Sequence, residues 1–209
     1  MRTYLKNITI LLLILSVSCN TKKTDTPPIV SADTTTIVQP VNLDSLLVST
    51  GTAVLKTLKE KDLSAFSAFF ENGRAVRFSP YGYIDTVANL ELTKAAFDSL
   101  VASGDVVQWG SFDGSGDPMQ LNAKQYIDKF VYNADFLKAE KTAVDSFIGH
   151  GNSLNNLKKI YPDARFIEYH FSGFDKKYGG MDWTSLRLVF KEVDHSYKLI
   201  AIVHDQWTT

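Results

Sequence analysis

The sequence has one cysteine, Cys19, among 209 residues. The rest of the chain therefore offers no disulfide, no thiolate metal site and no cysteine nucleophile. Basic residues are not in excess either, since 22 Lys and Arg stand against 23 Asp and Glu. A protein that binds nucleic acid needs a basic face, so this balance argues against nucleic acid as a partner.

Motifs that would define an enzyme class are also missing. The sequence has no G-x-S-x-G nucleophile elbow and no H-E-x-x-H pair. The stretch GSFDGSG at residues 110–116 lacks the lysine and the strand-to-helix setting of a phosphate-binding loop. No cofactor is predicted.

Long hydrophobic runs are scarce, and the most apolar stretch lies at the N-terminus. Residues 1–7 are short and positive, residues 8–17 are an apolar run, and Cys19 follows. A membrane-spanning helix needs about 20 apolar residues, so this run is too short to span. The pattern predicts a secretory signal peptide over residues 1–18. Its removal leaves 20 basic and 23 acidic residues, a net charge of −3.

A cysteine at the cleavage point resembles the signal of bacterial lipoproteins, which are cut before that cysteine and lipidated on it. The resemblance implies that Cys19 is the lipidated first residue of a mature lipoprotein. It would be held extracytoplasmically in the bacterial cell envelope, at the outer membrane or the periplasmic face. Ser16 departs from the pattern, which usually has Leu there. An ordinary signal peptide with a chance cysteine and an uncleaved anchor are the alternatives.

Composition and periodicity predict a disordered tether over residues 19–41 and one α+β globular domain over residues 42–209. Apolar spacing predicts helices over residues 42–61, 62–70, 93–102, 122–136 and 153–161. Alternation predicts strands within residues 74–84, 105–114, 164–173, 185–193 and 197–207. Thr93 is a candidate helix cap, and residues 194–196 are a predicted hairpin turn. The expected architecture is N-terminal helices packed on a curved antiparallel sheet.

The stretch VLKTLKEKDLSAFSAFFENGRAVRF, residues 54–78, resembles the start of NTF2-like (SnoaL-like) domains. That resemblance implies a cone, in which a histidine and an aspartate lining the interior act as acid and base on a small hydrophobic substrate. The segments MDWTSLRLVF and HDQWT also resemble uncharacterised secreted bacterial proteins.

His204 and Asp205 close the last predicted strand. Strict alternation places His204 on one face and Asp205 on the other, and the residues before them are apolar on both faces. The strand should therefore be central and buried. By the NTF2-like resemblance, either residue could be an acid–base group. The structural alternative is a hydrogen-bonding pair at the edge of the core.

Glu168 and His170 share one face of an alternating strand. A carboxylate there can orient the imidazole and raise its pKa. If His204 lies on a neighbouring strand, the three side chains could form a metal site with nitrogen and oxygen ligands. The alternative is an ordinary solvated strand face.

Aromatic and cationic residues near the next strand suggest a ligand pocket. Trp183 and Arg187, together with Tyr178, Trp109 and Tyr83, could line an aromatic and polar cavity. The alternative places these residues at the edge of the core.

Asp113, Ser115 and Asp117 stand at alternate positions, as oxygen ligands do at the start of a calcium loop. The full motif fails, because Pro118 occupies the position of its glycine and Lys124 the position of its glutamate. Alternating Asp and Gly are also typical of a turn.

These observations favour a lipid-anchored extracytoplasmic domain that binds a small molecule or an envelope protein without catalysis. An NTF2-like enzyme is one alternative, and a structural or interaction component of the envelope is another. An enzyme would require a histidine and a carboxylate that converge on one cavity.

Overall fold

The computed structural model describes residues 43–152 and 154–208. The signal segment, Cys19 and the tether lie outside these residues, so the proposed boundaries there stay predictions. Within the described ranges, no helix combines the length and the apolar character needed to cross a membrane.

The described part of the chain is a mixed α+β structure, which confirms the predicted fold class. Its α-helices are α1 (Leu43–Lys59), α2 (Leu63–Ser67), α3 (Lys94–Ser103), α4 (Ala123–Tyr126) and α5 (Leu157–Ile160). Its strands are β1 (Ala75–Ser79), β2 (Glu91–Thr93), β3 (Val107–Ser111), β4 (Pro118–Leu121), β5 (Lys141–Val144), β6 (Arg165–Phe171), β7 (Thr184–Val193) and β8 (Ser196–Gln206).

Six strands form the main sheet in the order β2-β1-β8-β7-β6-β5, and β3 pairs with β4 separately. Most neighbours are antiparallel, but β1 runs parallel to β8. Strand β8 is therefore central, as its apolar residues on both faces predict. Asp194 and His195 connect β7 to β8 with φ values of 48° and 56°, the left-handed conformation of a tight hairpin turn.

The two faces of the sheet are covered by different elements. The helix face carries Leu186 and Ile202 and packs against an apolar cluster that includes residues of α1, α2 and α3. The loop face carries Val189 and Val203 and packs against a smaller cluster. That smaller cluster includes residues of the β1–β2 connection and of the β5–β6 connection, so both faces of the central strands are buried.

Local sequence explains where the helices form. In α1, Leu47, Val54, Leu55 and Leu58 recur at helical spacing and are buried. Helix α3 begins after Thr93, whose hydroxyl accepts the backbone N–H of Ala96, which confirms the predicted cap.

The prediction of one regular helix over residues 122–136 is wrong. Helix α4 has only four residues, begins with a capping box at Asn122, and continues as a π-helix over Ile127–Val131. A separate 3₁₀ turn follows at Phe136–Lys138. The wider winding keeps Ile127, Phe130 and Val131 in the core, which apolar spacing alone does not distinguish from a regular helix.

Candidate functional site

Three charged side chains meet on the loop face of the sheet. Glu168 on β6 and Arg187 on β7 are register partners, and Asp205 on β8 pairs with Ser185, two residues before Arg187 on the same face. Arg187 Nε donates to Glu168 Oε2 at 2.9 Å, and Arg187 Nη1 lies 2.8 Å from Asp205 Oδ2. Because all three are almost fully buried, they form an internal charged cluster.

The connection between β5 and α5 completes this charged cluster. The backbone N–H groups of Ile148 and Gly149 donate to Glu168 at 3.1 and 2.8 Å. The carbonyl of Gly149 accepts from Arg187 Nη2 at 3.2 Å, and the guanidinium lies 5.1 Å from the ring centroid of Phe147. Such buried charges persist only when they are paired in this way.

The two carboxylates differ in their electrostatics. Burial raises the pKa of Glu168, but the charge and hydrogen bonds of Arg187 outweigh it, so its pKa is lowered overall. Burial raises the pKa of Asp205, and Arg187 offsets only part of that rise. Within the described residues, Asp205 Oδ1 has no hydrogen-bond partner. Glu168 is thus the carboxylate that the cluster holds firmly ionised.

Glycines close the charged cluster on the loop side. A Cβ at Gly82 would lie 2.7 Å from Asp205 Oδ2, and one at Gly149 would lie 2.5 Å from Ser185 Oγ. The covering segments therefore approach more closely than any other residue would permit. The cluster leaves no space for a substrate beneath these two glycines.

His170 lies beside the charged cluster and is buried rather than solvated. Its Nδ1 is 2.8 Å from Ser185 Oγ, and its ring lies 5.9 Å from that of Trp183. Burial lowers the pKa of His170, and the charge of Glu168 opposes that shift only in part. The solvated face that is the simpler sequence interpretation for Glu168 and His170 is not found, because the 145–151 segment covers it.

His204 lies on the opposite, helix face. Its Nδ1 is 3.0 Å from the carbonyl oxygen of Pro80, which can only accept, so Nδ1 carries the proton. Its Nε2 is then the acceptor for Asn133 Nδ2 at 3.2 Å and Thr184 Oγ1 at 3.0 Å. Complete burial lowers the pKa of His204 to about 4. The ring is a neutral, fully bonded part of the core.

The histidines and carboxylates therefore do not converge. Strand β7 separates β6 from β8, and His204 is on the face opposite to Glu168, His170 and Asp205. The three-residue metal site suggested for Glu168, His170 and His204 does not form for this reason. Among residues 43–152 and 154–208, no group of three or more His, Cys, Asp or Glu side chains is placed to hold a metal ion.

The predicted aromatic pocket is not assembled either. Trp109 is buried on the helix face, stacked on Tyr126 with ring centroids 4.0 Å apart. Tyr178 is 46% exposed in the connection between β6 and β7, while Arg187 is buried on the loop face. Arg187 belongs to the charged cluster itself, and Trp183 lies near that cluster through its contact with His170.

The connection between β6 and β7 exposes several large apolar side chains. Phe174 and Met181 are 61% and 52% exposed there, beside Tyr178. Lys177 Nζ lies 4.6 Å above the Tyr178 ring and pairs with Asp175 at 2.9 Å. The segment offers a small apolar and aromatic surface for a partner.

The DGSGD stretch forms the turn between β3 and β4. Gly114 and Gly116 have φ values of 81° and 74°, and the N–H of Gly116 donates to the carbonyl of Phe112. Ser115 Oγ accepts the backbone N–H of Asp117 at 3.2 Å. The stretch is therefore built as a turn, with Asp113 and Asp117 exposed.

A small hollow lies where β8 ends. It has a volume of about 200 Å³ and is lined by Tyr81, Asp113, Gln206, Trp207 and Thr208. The N–H of Asp113 donates to the Tyr81 hydroxyl at 3.1 Å, which ties the β3–β4 turn to the segment after β1. The hollow brings together two stretches that stand out in the sequence, DGSGD and HDQWT. Tyr81, Gly82 and Gly149 were not predicted as site residues. The two glycines were the available signal in the sequence, because a covering segment that approaches closely requires a residue without a side chain.

Comparison of this chain with family models, with curated proteins and with solved structures found no match.

Proposed function

We propose that this protein is a lipid-anchored, extracytoplasmic domain of the bacterial envelope that binds a small molecule or a partner without catalysis. The proposal that the protein binds without catalysis rests on the closed charged cluster. Glu168, Arg187 and Asp205 bond to one another beneath Gly82 and Gly149, so their charges are used within the fold. The open polar groups lie instead in the hollow at the end of β8.

An NTF2-like enzyme is the less favoured alternative. It would need a histidine and a carboxylate within reach of one bound molecule. His204 is neutral, bonded through both ring nitrogens and separated from Asp205 by the sheet. The NTF2-like cone itself stays part of the proposal as a description of the sheet and its helices. Its interior would then be filled by side chains such as Phe78, Phe97 and Trp109.

The anchor is supported by the sequence pattern around Cys19. Each buried methylene contributes about 0.8 kcal/mol, and a single chain holds only marginally, so stable anchoring needs the two or three acyl chains of a lipoprotein. Cys19→Ser in the full-length chain should move the protein from the membrane fraction to the soluble fraction. The matched control Ser18→Ala keeps the cysteine and should stay with the membrane. A Cys19→Ser protein that remains membrane-bound would refute the anchor.

Binding is tested separately by thermal unfolding. A ligand that binds only the folded state raises the melting temperature by an amount that grows with the ratio of its concentration to its dissociation constant. We expect at least one member of a panel of metabolites, saccharides, amines and metal ions to raise it for the full-length chain. A flat response across the panel argues against the small-molecule form of the proposal and favours a protein partner. Chemical cross-linking at the Phe174 and Tyr178 segment would then test that partner.

A further inference from the structure

The hollow at the end of β8 is assembled from three distant segments. Tyr81 follows β1, Asp113 follows β3, and Gln206 and Trp207 close β8. The hydrogen bond from the N–H of Asp113 to the Tyr81 hydroxyl fixes two of these segments. The Tyr81 ring also packs edge-on against Phe130 at 5.9 Å, so its position is set by the core. The site is therefore held by contacts that persist without a ligand.

Three of its polar side chains have no hydrogen-bond or ion-pair partner within residues 43–152 and 154–208. No hydrogen bond or ion pair engages the carboxylate of Asp113, the amide of Gln206 or the indole N–H of Trp207. The carboxylate is an acceptor, the indole N–H is a donor, and the amide is both. The hollow thus presents unmatched donors and acceptors next to two aromatic rings.

Two larger hollows of the described region contain charged side chains that are already paired. One of about 290 Å³ is lined by Arg74 and Glu91, but Arg74 pairs with Glu71 at 3.1 Å and Glu91 with Arg77 at 2.6 Å. Another, of about 250 Å³, is lined by Lys61 and Asp128, which pair at 3.1 Å. These four charged side chains are engaged within the protein.

Size and chemistry together limit the ligand. A volume of about 200 Å³ is below the roughly 300–1,000 Å³ of pockets that hold drug-sized molecules, so the hollow suits a single ring. Hydroxyl groups both donate and accept, and they match a mixed set of free donors and acceptors. The face of an aromatic ring is negative and attracts polarised C–H groups, such as those on one side of a sugar ring.

We propose that this hollow binds one neutral sugar ring, which packs on Trp207 and Tyr81 while its hydroxyls bond to Asp113 and Gln206. The inference deepens the proposed binding function and rests on it. A carboxylate beside two aromatic faces also attracts cations, so a cationic probe is the necessary comparison.

Ligand-observed saturation-transfer NMR on the full-length chain tests this inference. The probes are the methyl glycosides of glucose, galactose, mannose and N-acetylglucosamine, with choline as the cationic comparison. We expect at least one glycoside to bind saturably. Trp207→Ala and Asp113→Asn should each weaken that binding by about tenfold or more.

Two variants serve as matched controls. Asp117→Asn changes the other aspartate of the same turn, and Tyr178→Ala removes an exposed aromatic ring outside the hollow; both should bind as the wild type does. Urea unfolding confirms that every variant is folded. The inference is overturned if no glycoside binds, if binding survives Trp207→Ala, or if choline binds there instead. A non-sugar ligand found by thermal unfolding would then overturn the sugar inference alone and leave the proposed function standing.

Discussion

His204 and Asp205 are consecutive residues whose side chains lie on opposite faces of the sheet. The His204 ring contacts Phe130 on the helix face, with ring centroids 5.8 Å apart. Asp205 contacts Arg187 on the loop face at 2.8 Å. Each side chain is buried in a different environment, so the two affect the stability of the domain for different physical reasons.

His204 makes stability depend on pH. Because its folded-state pKa is about 4 and the ordinary value is 6.5, the unfolded chain binds the proton first as pH falls. Stability should therefore fall between about pH 6.5 and pH 4, by up to roughly 3 kcal/mol from this group. His204→Gln should make that part of the pH profile of urea unfolding less steep, and the lowered pKa of His170 should account for part of the slope that remains. His195→Gln, in the exposed hairpin turn, should leave it unchanged; an equal slope in wild type and His204→Gln would contradict the argument.

Arg187 compensates two buried carboxylates. Arg187→Met leaves Glu168 and Asp205 without their shared partner, and breaking a buried ion pair costs about 3–5 kcal/mol. Urea unfolding at neutral pH measures this loss. Arg74→Met, which breaks the more exposed pair with Glu71, should cost less than about 1 kcal/mol. Adding Glu168→Gln to Arg187→Met should recover part of the loss; a double variant no more stable than Arg187→Met would contradict the charge argument.

Gly82 is expected to tolerate no side chain as long as Asp205 is present. A Cβ would meet Asp205 Oδ2, Cγ and Oδ1 at 2.7–2.9 Å, so Gly82→Ala should destabilise by about 1–3 kcal/mol. In an Asp205→Ala background the same substitution should cost much less, because the three closest atoms are gone. Denaturation of the four proteins gives the coupling energy. Additive costs would show that the close approach does not limit this position.

Thr93 is expected to stabilise α3 through its side-chain oxygen. Thr93→Ala removes the acceptor for the N–H of Ala96 and should cost about 1 kcal/mol. Thr93→Ser retains an oxygen at that position and should recover most of the difference. Thermal unfolding of both variants measures it, and equal melting temperatures for Ala and Ser would contradict a capping role.

Local patterns predicted the elements that local forces determine. The spacing of Leu47, Val54 and Leu58 predicted α1, and the apolar residues on both faces of β8 predicted its central position. Helical spacing and strand alternation are patterns within short stretches of sequence, so a single sequence is enough to predict them. The hairpin turn at Asp194 and His195 belongs to the same group.

Contacts between distant segments could not be predicted in that way. The pairing of β1 with β8 joins residues more than a hundred positions apart, and it runs parallel where antiparallel pairing was expected. The closure over Arg187 depends on Phe147 and Gly149 approaching from another connection. Alternation placed Glu168 and His170 on one face, but it gives no information on which segment covers that face.

The parallel pairing of β1 with β8 also limits when the sheet can form during synthesis of the chain. Strand β8 separates β1 from β7 and is the last of the described strands to leave the ribosome. The β1–β2 pair therefore cannot join the rest of the sheet until almost the whole domain has been synthesised. Until then β1 and β2 can pair only with each other, and truncation before β8 would remove a strand from inside the sheet rather than from its edge.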